Sequence, residues 1–176
     1  LYPLNSVMLH GITITESGYP KTLPMDLKDV SDGIWSFFAS GTSLQELYVN
    51  PHLLTPAIWD CLAKAATWSH NNADVLQDVH WIGGDPGKGE IYGYAAWAPR
   101  KGVFSLRNPS DQSQTIQIDI GKIFELPEGA NSDYKLTDAI HPKSKSGVMK
   151  VKKGEEFTVT LAPFELKIWD AVPVKK

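Results

Sequence analysis

Residues 55–78, TPAIWDCLAKAATWSHNNADVLQD, decide how the chain is read. Thr55 is a good N-cap, and Pro56 suits the first turn, where its missing N–H would have had no partner. Ile58, Trp59, Leu62, Ala65, Ala66 and Leu76 recur at helical spacing, so the stretch predicts one helix covering a core. No glycine interrupts it before Gly83. Its Trp59, Leu62, Ala65 and Ala66 face is expected to pack on strands. The helix separates two differently written halves: upstream, strand-like and helical patterns alternate; downstream, the chain reads as short strands and turns.

Upstream, LNSVML (Leu4 to Leu9) is short, apolar and bounded by Pro3 and Gly11, which predicts a buried strand with His10 at its C-terminal end. Thr13 to Pro24 carries Gly18, Pro20 and Pro24 and reads as a loop. Asp26 to Ser40 reads as a helix with Leu27, Val30, Ile34, Phe37 and Phe38 apolar and Gly41 as the stop. Gly33 inside it costs about 1 kcal/mol relative to Ala. Leu44 to Val49 is a second strand, closed by Asn50-Pro51. Its period of two puts Leu47 and Val49 on one face and Glu46, Tyr48 and Asn50 on the other. Strand, helix, strand, helix is the order of a parallel α/β unit with right-handed crossovers. Two parallel strands do not make a stable sheet alone, because such sheets are covered on both faces, so this region calls for more chain than is present.

Downstream, Val79 to Ile82 is strand-like, and Gly83 to Gly89 (GGDPGKG) is a dense turn signal. Ile91 to Ala98 and Gly102 to Leu106 flank Pro99-Arg100-Lys101 and suit a hairpin. Gln114 to Ile120 alternates, with Ile116, Ile118 and Ile120 on one face. Tyr134 to Thr137 is a short strand. Val148 to Val151 and Glu156 to Leu161, separated by Lys152-Lys153-Gly154-Glu155, read as another hairpin. Phe164 to Val172 closes the series. Six to eight short strands with regular turns predict an antiparallel sandwich.

The 176 residues can bury a real core, as one large domain or two small ones, and 42% hydrophobic with 21% charged residues is a globular composition. A net charge of -3 gives no basic footprint for nucleic acid or anionic membrane. No apolar run approaches the ~20 residues that span a bilayer. Cys61 is the one cysteine, which excludes an internal disulfide and a cysteine-based zinc cluster and predicts a buried structural thiol. The chain opens at Leu1 in mid-pattern, without Met or a charged leader, as expected of a piece of a longer protein.

No GxSxG elbow, HExxH pair or Walker loop is present. Gly83 to Gly89 precedes a strand rather than a helix, so it reads as a turn and not as a phosphate cradle. Asp85 and Glu90 are too few carboxylates for a calcium site. Asn108-Pro109-Ser110 has Pro in the middle position, fails as a glycosylation sequon and reads as a turn. No metal site and no cofactor are expected. The residues with a physical argument for function are His10 and the Glu46, Tyr48, Asn50 face, because α/β proteins bind ligands at the carboxyl ends of their strands. A carboxylate on such a face needs partners, either a ligand hydroxyl or an internal hydrogen-bond network. Six Trp, six Tyr and six Phe add a second possibility, a carbohydrate-stacking platform of Trp81, Tyr92, Tyr94 and Trp97, with Tyr92 and Tyr94 sharing strand parity and Trp97 on the other face. Core filling is the plainer account of each ring.

Taken in order, LNSVMLHG, FFASGTSLQELYVNPHLLTPAIWDCLAKAATW, WIGGDPGKGEIYGYAAWAP, GVFSLRNPS and APFELKIWDA resemble the C-terminal part of a glycoside hydrolase of the α-galactosidase-like clan. The resemblance covers the whole chain and implies α/β followed by all-β: residues 1–77 as the last two β/α units of a (β/α)8 catalytic barrel, and 78–176 as an antiparallel β-sandwich. It implies a carbohydrate substrate, possible α-galactosidase activity in the parent and a secreted or periplasmic location. In that clan the nucleophile and acid/base stand at the ends of the fourth and sixth barrel strands, upstream of Leu1 here, so no catalytic residue is carried over. The expected contribution of this chain is substrate binding at the pocket rim through His10, Glu46, Tyr48 and Asn50, beside the missing N-terminal part of the barrel. A non-catalytic carbohydrate-binding module and a purely structural cap are the alternatives.

Overall fold

The computed structural model describes residues 3–15, 26–144 and 148–174. Its first half contains strand β1 (Met8–Ile14), helix α1 (Leu27–Ala39), strand β2 (Leu44–Val49), helix α2 (Pro56–Asn71) and the single turn α3 (Ala73–Leu76). Eight strands follow: β3 (His80–Gly83), β4 (Tyr92–Ala98), β5 (Lys101–Arg107), β6 (Gln114–Asp119), β7 (Asp133–Asp138), β8 (Val148–Lys152), β9 (Glu156–Leu161) and β10 (Leu166–Pro173). A last helical turn, α4 (Ile120–Ile123), follows β6 directly.

Both main helices start where side-chain caps allow. Asp26 accepts from the Lys28 amide at 3.0 Å, and Thr55 Oγ1 accepts from the Ile58 amide at 3.3 Å, each answering a donor that the first turn leaves open. α1 buries Ile34, Trp35, Phe37 and Phe38, while its first residue, Leu27, is exposed. It stops at Gly41, whose φ of 72° is left-handed and whose missing Cβ leaves room for Val79. α2 buries Ile58, Leu62 and Ala65.

Several expectations are corrected. The first strand begins at Met8, because Leu4–Ser6 forms a 3-10 turn, and it runs through Gly11 to Ile14. Gly11 does not end the strand; the Phe37 ring of α1 lies against it where a Cβ would collide. Of the expected loop Thr13 to Pro24, Thr13 and Ile14 therefore belong to β1, and residues 16–24 lie outside the described residues. The strand is also less buried than expected: Met8 and Leu9 are exposed, and Ile14 alone is fully buried. The helix predicted through Asp78 breaks at Asn72, with φ -113° and ψ 12°; the Asn72 amide nitrogen donates back to Trp68 O at 2.8 Å, and α3 restarts to bury Val75 and Leu76. Trp59 is 46% exposed, so it does not join the packed face of α2.

Lys152-Lys153-Gly154-Glu155 is a turn but not a hairpin. β8 pairs with β7, whereas β9 pairs with β6. The Gly154 amide is held by Asp119 Oδ1 at 3.0 Å, at the end of β6, so this turn carries the chain from one layer to the other.

The antiparallel strands form a six-stranded sheet in the order β3-β4-β5-β10-β7-β8 and a two-stranded sheet β6-β9. One core lies between them, built from Phe104, Leu106, Ile118, Tyr134, Leu136, Leu161, Trp169 and others, with Phe104 and Trp169 stacked at 4.7 Å. The other face of the six-stranded sheet is covered by helices: Leu166 and Ile168 of β10 pack with Trp35, Phe37, Ile58 and Leu62, and Ala96 and Val103 pack with Val75, Leu76 and Val79. The result is three layers, with the larger sheet in the middle. The alternation of side chains along β10 explains this: Leu166 and Ile168 face the helices, while Trp169 and Ala171 face the small sheet. Cys61 is half-buried between the helices, and its thiol donates to Ser31 Oγ at 3.3 Å.

Candidate functional site

β1 and β2 pair in parallel, with His10 opposite Glu46 and Thr13 opposite Tyr48. The register shifts between His10 and Thr13, a bulge that brings two residues of odd spacing to the same side. One face of the ribbon, carrying Ile12, Ile14 and Val49, packs on the helices. The opposite face carries the candidate side chains and is exposed.

There the structure brings three of the four expected residues together. His10 Nδ1 lies 2.9 Å from Tyr48 Oη, and Tyr48 Oη donates to Glu46 Oε2 at 2.8 Å. The His10 nitrogen is 3.7 Å from the same carboxylate oxygen, and the His10 and Tyr48 rings sit 5.5 Å apart. The hydrogen bond to Glu46, then desolvation and the Glu46 charge, hold the Tyr48 hydroxyl above the ordinary phenol range, so it keeps its proton to give to the carboxylate. With that proton committed, Tyr48 Oη is the acceptor for a proton on His10 Nδ1, and in the neutral ring with that tautomer Nε2 is an acceptor. The chain Glu46–Tyr48–His10 thus ends in two groups, a carboxylate oxygen and an imidazole nitrogen, that take hydrogen bonds from hydroxyl donors.

Asn50 stands apart from this chain. Its Oδ1 accepts from the His52 amide at 3.0 Å and caps the 3-10 turn Pro51–Leu53, while its own amide donates to Ile14 O at 2.7 Å. Asn50 fixes how the chain leaves β2. Thr13, opposite Tyr48, was not singled out from the sequence, because strict alternation from His10 puts it on the other face and only the bulge reverses that.

The paired face carries one carboxylate, Glu46. Cleaving a glycosidic bond with retention takes two, about 5 Å apart, so the arrangement is suited to holding hydroxyls rather than to breaking a bond. Asp85 and Glu90 are used within their own turn: Asp85 Oδ1 accepts from the Gly87 amide and Glu90 Oε2 from the Asp85 amide, both at 2.8 Å. Among the described residues, no group of three or more His, Cys, Asp or Glu side chains is placed to hold a metal, and no helix is long and apolar enough to cross a membrane.

The four rings of the second possibility do not form a row. Trp81 and Tyr92 stack on each other at 5.0 Å and 11°, and Tyr94 meets Trp81 edge-on at 5.5 Å. Trp97 packs against the sandwich core and donates its indole N–H to Tyr134 Oη at 2.9 Å. Trp81 remains exposed on one side, with its N–H given to Gly84 O.

No family model matches the sequence, and no curated protein does either. Solved structures match the fold. An α-galactosidase from Saccharomyces cerevisiae with raffinose is 9% identical, with a TM-score of 0.61, over 87% of this chain and 45% of the yeast chain. A GH27 β-L-arabinopyranosidase from Geobacillus stearothermophilus is 11% identical, with a TM-score of 0.63, over 96% of this chain and 37% of that one. A putative α-N-acetylgalactosaminidase from Bacillus halodurans is 12% identical, with a TM-score of 0.62, over 85% and 33%. These neighbours are glycoside hydrolases of the α-galactosidase type, and this chain has the fold of a part of them that is less than half their length.

Proposed function

We propose that the chain is the C-terminal part of a glycoside hydrolase acting on α-linked sugars, with α-galactosides as the first substrate class. β1-α1 and β2-α2 are its last two barrel units, and β3 to β10 form its terminal sandwich. The observation that carries this reading is the half-covered parallel ribbon: helices pack one face, while Met8, Leu44 and the Glu46–Tyr48–His10 chain lie open on the other. Parallel strands are covered on both faces in stable proteins, and further barrel strands beside β1 and β2 supply that cover. The exposed Trp59 on α2 offers a surface to a further barrel helix.

In this reading the catalytic carboxylates belong to upstream strands. Glu46 and His10 accept hydrogen bonds from substrate hydroxyls at the pocket rim, Tyr48 orients both, and Asn50 holds the exit of β2. The sandwich closes the outer side of α1 and α2. Such an enzyme works where its polysaccharide or oligosaccharide substrates are, in a secreted or periplasmic location.

The full-length protein should hydrolyse at least one of a panel of aryl α-glycosides. His10→Ala and Glu46→Gln should each lower kcat/KM by about 10- to 100-fold, as loss of a hydroxyl contact does. No hydrolysis across the panel would overturn the proposal.

A further inference from the structure

We infer that the groove where α2 meets the six-stranded sheet is a binding site for a short, neutral oligosaccharide. The groove encloses about 880 Å³, within the range of roughly 300–1,000 Å³ typical of small-molecule sites. It shares no residue with the ribbon face, and the inference does not depend on the parent's catalytic activity.

Its inner side is aromatic and held rigid. Trp35 and Trp68 meet edge to face at 5.8 Å. The Trp68 indole N–H donates to Asp170 Oδ1 at 3.1 Å, and the same oxygen is paired with Lys101 Nζ at 3.0 Å. Both ends of the Trp68 side chain are therefore anchored, and a pyranose can meet a ring whose position is already fixed. The outer wall is polar. Asp60 and Lys64, one helical turn apart on the exposed side of α2, make no hydrogen bond or ion pair with another described residue, so an acceptor and a donor are both available. Asn72, also in the lining, is 1% exposed and its Oδ1 has no protein partner, an acceptor that a water linking it to a ligand hydroxyl would satisfy.

The balance of charge selects the ligand class. Lys101 is committed to Asp170, His141 lies 3.5 Å from Asp138, and Lys64 is opposed by Asp60 across one turn. Among the described residues, Lys143 is therefore the one cation of the lining that an anion would meet unopposed, and the sulfated sugar tests whether it decides the ligand. A lipid chain would bury the free carboxylate and ammonium without partners, which costs several kcal/mol. A hydroxyl-rich ligand with apolar C–H faces uses the indole, the carboxylate, the ammonium and the amide together.

The experiment follows the indole N–H signals of the ¹⁵N-labelled full-length protein by NMR while raffinose, maltotetraose, cellotetraose or a sulfated tetrasaccharide is added. The Trp68 signal is assigned by Trp68→Phe, which keeps an aromatic ring. At least one neutral sugar that the protein leaves uncleaved should shift the Trp68 signal at millimolar concentration. The Asp60→Ala/Lys64→Ala variant, altered only on the exposed side of α2, should keep its melting temperature and weaken that binding about fivefold or more. Failure of every neutral sugar to move Trp68, a response to the sulfated sugar alone, or unchanged binding by the double variant would each overturn the inference.

Discussion

The parallel ribbon and the six-stranded sheet are built from similar residues and bury them very differently. In the sheet, Phe104, Leu106, Leu136 and Ala171 are no more than 1% exposed, because β6 and β9 cover one face and the helices cover the other. In the ribbon, Met8 and Leu44, on the side of His10 and Glu46, are 39% and 55% exposed. Apolar strand residues do not bury themselves; a second layer does. The sandwich carries its own second layer, and the ribbon has one on its helix side only. The open side is also where the polar chain of His10, Tyr48 and Glu46 lies, so the surface that lacks cover is the surface that offers chemistry.

The contrast can be broken from either side. Phe104→Ala, in the doubly covered sheet, removes a ring packed on Trp169 and Phe124 and should cost about 3–5 kcal/mol of unfolding free energy, measured in denaturant. Leu44→Lys sharpens the ribbon side. At the exposure seen here, 55%, a surface change would cost no more than about 0.5 kcal/mol. If further barrel strands cover this face, the same change in the full-length protein should cost about 2 kcal/mol or more, since it buries a charge or forces the strands apart. A loss below about 0.5 kcal/mol there would contradict the covered ribbon. The smallest effect is expected at the seam. Thr55→Ala removes the cap of α2 and should lower stability by about 1 kcal/mol, read as a small shift of the denaturation midpoint without change of slope.

Particular residues show what could be read in advance. Thr55 and Pro56 marked the start of α2 and Asp26 the start of α1, since capping is a local hydrogen bond between near neighbours. The alternation of Ile116, Ile118 and Ile120 was legible too, although Ile120 already begins α4. Asn108 was not legible beyond a turn. It is fully buried, its Nδ2 donates to Gln112 O at 2.7 Å and to Ala162 O at 2.9 Å, and it ties two loops that are distant in sequence. At the candidate site, strand parity placed Glu46 and Tyr48 together, and their hydrogen bond follows from it. The same parity placed Asn50 with them, but the turn after β2 takes its oxygen as a cap. The contact of His10 with Tyr48 depends on the register between two strands separated by α1, which no local pattern encodes.

By itself, the order of residues determined the α/β-then-β succession, the helix starts and which side chains share a strand face, because each of these depends on neighbours within a few positions. Tertiary structure alone decided that β8 and β9 enter different sheets, that α2 breaks at Asn72 to lay Val75 and Leu76 on the sheet, and that Trp59 stays outside while Trp68 is pinned by Asp170. The physical reason is the same in each case. A turn, a helix end or an indole has several local solutions of similar energy, and the layer packed against it selects one.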